Sequence, residues 1–148
     1  MIRNATQLGR TRGEIDRLKE RLSALAGKGL SKSLRELQSA SITRMLHQLE
    51  EQARVYEEAV RGRVRRRVLE RLLSPSEQGG RPRIGEAMFL LRLARGITQS
   101  QLARKLDTRR EVVARWERDD YTGYTLENLQ RIFKALGCRV ALAVRIAG

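Results

Sequence analysis

The stretch QSQLARKLDTRREVVARWER, Gln99 to Arg118, decides the fold. Thr98 stands just before it, a residue type that caps an orphan N–H at the start of a helix. Leu102, Leu106, Val113 and Trp116 fall where a helix, a three-residue turn and a second helix bring all four to one seam. Ala103 is small where two such helices approach each other. Asp107 occupies the turn position most often filled by glycine, and aspartate tolerates left-handed backbone better than most residues.

Working outward, IGEAMFLLRLARG before this stretch reads as a helix from Ile84 to about Ala94 that ends at Gly96, and TLENLQRIFKALG after it reads as a last helix from Leu126 to Leu136. Residues 84–137 are therefore expected to form a compact helical domain. Phe89, Leu90 and Leu93 leave the first of these helices apolar nearly all round, so it should be buried on two sides. The extra face is expected to pack on the N-terminal region or across a dimer. Beyond Gly137, Arg139 to Ile146 alternates with Val140, Leu142 and Val144 on one face. It reads as a short terminal strand seeking a partner, or as a frayed tail.

The N-terminal region, residues 1–62, reads as an antiparallel helical hairpin. Thr11-Arg12-Gly13-Glu14 has capping-box spacing at the head of a helix over 11–27, with Ile15, Leu18, Leu22 and Leu25 on one stripe. Ser33-Leu34-Arg35-Glu36 repeats that spacing at the head of a second helix running toward Gly62. The second helix is about ten residues longer than the first, so its unmatched end should dock on a second subunit or on the rest of the chain. We read 1–62 as an association module.

Residues 63–83 join the two regions and hold seven arginines against two glutamates. Val64, Val68, Leu69 and Leu72 predict an amphipathic helix over Arg63–Leu73, continuing the second helix through Gly62 or separate from it; SPSEQGGRPR then breaks it. Three roles fit such a basic helix: following phosphates, attracting an acidic partner or membrane surface, or simple solvation.

The whole chain of 148 residues has 31 Lys and Arg against 17 Asp and Glu, a net charge of +14, with 41% hydrophobic and 4% aromatic residues. The charge predicts an acidic partner, and the scarcity of aromatic residues favours helices over a β-sandwich. One cysteine, Cys138, and one histidine, His47, exclude an internal disulfide and a zinc cluster built from this chain alone. The longest apolar run, Ala87 to Leu91, is far short of the roughly 20 residues that cross a bilayer, and the arginine-interrupted start has no signal-peptide core. No membrane association and a reducing, cytoplasmic setting are expected. No phosphate loop, paired-carboxylate motif or nucleophile–histidine arrangement stands out, so we expect no enzyme and no cofactor.

Residues 84–137, and most specifically the stretch 99–118, resemble the lambda-repressor and Cro class of helix-turn-helix domains, the XRE family. DDYTGYTLENLQRIFKALG followed by RVALAVRI also looks like HigA-type antitoxins, and the hairpin resembles one seen in front of such domains. The resemblance implies an all-α fold with a four- to five-helix DNA-binding domain. It further implies a dimeric bacterial or phage regulator of transcription, expected to repress by occupancy, that stays with the nucleoid through its DNA. An antitoxin that holds a toxin protein and regulates its own operon is the alternative it suggests. Carried over residue by residue, it puts the second motif helix in the major groove. The implied DNA-binding positions are Thr98, Gln99, Thr108, Arg109, Arg110, Glu111, Arg115 and Arg118. Arginine can place two donors on guanine and glutamate can accept from cytosine, although Glu111 could equally pair with Arg115 at i, i+4. Gln99 matches a phosphate-contacting glutamine, and Arg92 with Glu117 matches a pair that bridges the first helix to the end of the recognition helix.

Overall fold

The computed structural model describes residues 1–25, 29, 31–74 and 82–139, and every described element is helical. In chain order these are α1 (Ala5–Ala24), α2 (Lys32–Val60), α3 (Arg66–Leu73), α4 (Ile84–Ala94), α5 (Gln99–Lys105), α6 (Arg110–Arg118) and α7 (Leu126–Ala135). They fall into two compact units that divide between Glu57 and Glu58. The strand expected over Arg139–Ile146 lies outside the described residues, apart from Arg139 itself.

In the first unit, α1 begins at Ala5, six residues before the expected start at 11. The Asn4 side chain accepts from the Gln7 N–H at 2.8 Å while the Gln7 side chain accepts from the Arg3 N–H at 2.7 Å, so the cap forms there and not at Thr11. Leu8, seven residues ahead of Ile15, extends the apolar stripe and draws the preceding turn into the helix. The helix tolerates Gly9 and Gly13 at a cost of about 1 kcal/mol each relative to alanine. The second helix is likewise capped earlier, by the Ser31 hydroxyl accepting from the Leu34 N–H at 3.4 Å, and not by Ser33.

Ion pairs from Arg12 to Glu57 (2.7 Å) and from Lys19 to Glu50 (2.8 Å) set α1 and α2 antiparallel, because a step of seven along one helix is matched by a step of seven back along the other. Ile15 and Ala53 line the same cleft between these pairs. That register carries α2 past the end of α1. The overhanging start of α2 exposes Leu34 and, at 71% of its surface, Leu37.

The second unit starts where α2 stops. Gly62 takes φ +78°, a left-handed geometry that ends the helix, so α3 is a separate helix and not a continuation. Val68 and Leu72 are buried, and α3 packs along α4. The direction is antiparallel: the Arg83 N–H donates to the Leu72 carbonyl at one end, while Gly62 lies beside Ala94 at the other.

This arrangement accounts for the greasy α4. Met88 joins the core cluster of Leu102, Ala103, Leu106, Val113, Tyr121, Ile132, Phe133 and Leu136, whereas Phe89 and Leu90 are buried outside it. The basic helix α3 supplies a layer on α4 that the sequence reading, which named the hairpin or a dimer partner, did not anticipate. Leu93 is half-buried.

Gly85 is where the loop after α6 touches α4. Asp120 and Tyr121 both have positive φ, 53° and 55°, and a Cβ on Gly85 would stand 2.3 Å from the Asp120 carbonyl oxygen and 2.8 Å from its Cα. Backbone cannot yield there without opening the turn that carries Tyr121 into the core. We expect Gly85→Ala to destabilise the second unit by about 1–3 kcal/mol or more, as overpacked cores do. Urea unfolding followed by Trp116 fluorescence measures this; an unchanged midpoint would contradict the contact.

Candidate nucleic-acid interface

The pair α5 and α6 forms the seam anticipated from the sequence. Thr98 accepts from the Gln101 N–H at 3.1 Å and the Gln101 side chain accepts from the Thr98 N–H at 2.8 Å, a complete capping box. Leu102, Ala103 and Val113 are fully or nearly fully buried. The turn is a Schellman closure: the Thr108 N–H donates to the Ala103 carbonyl (2.9 Å) and the Asp107 N–H to the Arg104 carbonyl (3.3 Å). Asp107 has φ 52°, so it supplies the left-handed residue that this closure requires.

Behind the seam, Arg92 and Glu117 are 7% and 3% exposed and form a two-pronged pair. Arg92 Nη2 donates to Glu117 Oε2 at 2.8 Å, Nε donates to Oε1, and Nη1 donates to the Ile97 carbonyl at 2.8 Å. Gln99 Nε2 adds a donor to Glu117 Oε2 at 2.8 Å. Arg92 also lies 5.5 Å from the Phe89 ring centroid. One buried carboxylate thus ties the end of α6 to α4 and to the first residue of α5.

On the outer side, Arg109, Arg110, Glu111, Arg115 and Arg118 are all exposed, and Thr108 is half-buried. Arg109 is the α6 N-cap residue, is exposed and makes no side-chain cap, since arginine carries donors only. Glu111 lies 3.9 Å from Arg110 rather than pairing with Arg115, and Arg118 lies 3.5 Å from Asp119. Both are weak surface pairs that a phosphate or base edge could replace. Arg115 lies within electrostatic reach of Tyr124: burial pushes the Tyr124 phenol above its ordinary value, and the Arg115 guanidinium pulls it back.

Thr98 is exposed and Gln99 half-buried. Sequence reasoning assigned Gln99 a phosphate; the structure gives it a second task, bracing Glu117. A primary amide has two N–H donors, so one group can serve both. The aromatic cluster of Trp116, Tyr121 and Tyr124, with ring centroids 5.3–6.4 Å apart, was missed as a unit. It anchors the end of α6 to the following loop, and the clustering of three of the chain's six aromatic residues within 116–124 was its only signal.

Among the described residues there is no grouping of His, Cys, Asp and Glu suited to a metal, and no helix is long and apolar enough to cross a membrane. His47 is exposed on α2, and the Cys138 thiol points to the Leu136 carbonyl.

Breaking the buried pair from one side should cost more than removing it. Arg92→Met leaves Glu117 buried without its cation and is expected to cost about 3–5 kcal/mol, whereas the Arg92→Met, Glu117→Met double variant should recover most of that loss. Thermal unfolding of the two variants checks this. A double variant no more stable than Arg92→Met would contradict the account.

Residues 90–142 match the model of the helix-turn-helix family. Neither a curated protein nor a solved structure matches the chain. The match starts inside α4 and runs through the seam, the buried pair and α7, and it leaves the hairpin and the basic helix outside. This segment is a helix-turn-helix DNA-binding domain of the Cro/C1 type, the XRE family.

Proposed function

We propose that the protein is a sequence-specific regulator of transcription that acts as a dimer on an inverted-repeat operator and represses by occupying it. The observation that carries this reading is the contrast between the two sides of α6. Its inner side is fixed by Val113 and by Glu117 in the buried pair, while its outer side offers Arg109, Arg110 and Arg115. Rigid backing lets a side chain discriminate between bases.

In this reading Arg109, Arg110, Glu111 and Arg115 face base edges, and Thr98, Gln99, Thr108 and Arg118 hold phosphates that set the register. The overhanging start of α2, with Leu34 and Leu37 exposed, supports an association role for the hairpin. A twofold pair of domains would place two recognition helices about 34 Å apart, one turn of DNA.

Selection of bound duplexes from a random pool at about 150 mM salt, which suppresses purely phosphate-driven binding, should recover a single inverted repeat. Recovery of random, salt-sensitive duplexes alone would contradict the reading and favour specificity supplied by a partner protein, as an antitoxin bound to its toxin would show. On the recovered site, Arg110→Ala should cost about 1–3 kcal/mol and relax preference at one position of each half-site. Gln99→Ala should weaken specific and random DNA alike. Equal losses on both duplexes for both variants would refute this division of roles.

A further inference from the structure

Part of the most basic stretch of the chain, α3, is folded against α4 within the second unit. Its entry, Arg61-Gly62-Arg63, sits beside the end of α4: a Cβ on Gly62 would lie 3.5 Å from the Ala94 carbonyl oxygen. Two hydrogen bonds hold that contact in place from the α2 side, Gly62 N–H to Ala59 and Arg63 N–H to Glu58. Five residues after Ala94 comes Gln99, and the intervening turn is drawn tight by the Ile97 N–H on the Arg92 carbonyl and by Arg92 Nη1 on the Ile97 carbonyl. Arg95 lies in the same turn, exposed, its guanidinium close to Gly137.

The arginines of this layer differ in what they do within the fold. Arg65 is engaged by Glu58 and Arg66 by Glu70. Arg61 and Arg63 are exposed and have no acidic partner among the described residues. Two exposed arginines without an acidic partner among the described residues are therefore carried on backbone next to the end of α4 that leads directly into Thr98 and Gln99. Antiparallel packing of α3 on α4 fixes them there, since reversing the direction would carry them to the Arg83 end.

We infer that Arg61 and Arg63 form an accessory contact to the DNA backbone, extending the phosphate track of Gln99 onto the layer that precedes the helix-turn-helix domain. The inference rests on the DNA-binding reading of that domain. Partners of the contact are phosphates, not bases: two flexible guanidinium groups outside the recognition helix add affinity and salt dependence without sequence preference. The domain would then cover more backbone per half-site than residues 90–142 cover alone.

The test is fluorescence anisotropy of the full chain on two labelled duplexes of about 40 base pairs, one of mixed sequence and one carrying the selected repeat, across a salt series. For Arg61→Gln/Arg63→Gln, the slope of log affinity against log salt should become shallower by about 2, and binding near 150 mM salt should weaken roughly tenfold, on both duplexes alike. Arg61→Lys/Arg63→Lys should keep a slope near that of the unaltered chain, which separates lost charge from lost folding. Arg10→Gln/Arg17→Gln, which removes the same net charge from exposed positions of α1, should leave the slope nearly unchanged. An unaltered slope in the glutamine variant, an equal loss in the lysine variant, or an equal loss in the α1 variant overturns the contact. An unaltered chain that binds neither duplex overturns the DNA-binding reading as well as this one.

Discussion

Glu117 is a carboxylate near the end of a helix that must present its opposite side to solvent, and it is almost wholly withdrawn from water. Burying a lone carboxylate costs several kcal/mol unless a cation and further donors replace the water it loses. Arg92 supplies two donors and Gln99 a third, and Arg92 spends its remaining reach on the Ile97 carbonyl. The geometry of a planar fork on a planar carboxylate admits one arrangement of α4 against α6, where apolar contacts alone would allow sliding. With that arrangement set, the start of α5, the left-handed Asp107 turn and the outward aim of α6 follow.

The charge of the chain makes sense in the same frame. Among the described residues many arginines are exposed, and surface ion pairs such as Arg66–Glu70 contribute little to stability. Two regions of the second unit concentrate them: the outer side of α6, and the layer from Arg61 to Arg71. In both, apolar residues on the opposite side, Val113 in one and Val68 with Leu72 in the other, decide which way the arginines face. Orientation comes from burial, and the function proposed for each face comes from what burial leaves outside.

The helix-turn-helix region was legible from its sequence because each local signal agreed with its neighbours. Thr98 and Gln101 cap where expected, Asp107 takes the left-handed turn, and the apolar positions of 102, 103, 106 and 113 are buried. The Arg92–Glu117 pair was legible only through family resemblance, since two charged residues 25 positions apart carry no periodic signal. Helix starts in the hairpin were misplaced because a capping spacing at Thr11 lost to Asn4, whose side chain accepts from the Gln7 N–H while the Gln7 side chain holds the Arg3 N–H one residue ahead of the cap. The packing of α3 on α4 was missed for a different reason. Periodicity shows that Phe89 and Leu90 need a partner, but the partner's identity depends on Gly62 ending α2, which turns the basic segment back along α4. Gly85 was silent for the same reason: only the fold brings Asp120 to within a methyl group of it.

The central claim is that α6, held from behind by the buried pair, reads base edges in the major groove at two half-sites. Dimethyl sulfate interference on the selected duplex tests it with one reagent, because guanine is methylated at N7 in the major groove and adenine at N3 in the minor groove. The account predicts loss of binding on methylation of guanines in two patches about one helical turn apart. Interference confined to minor-groove adenines, or none at any base, would contradict it.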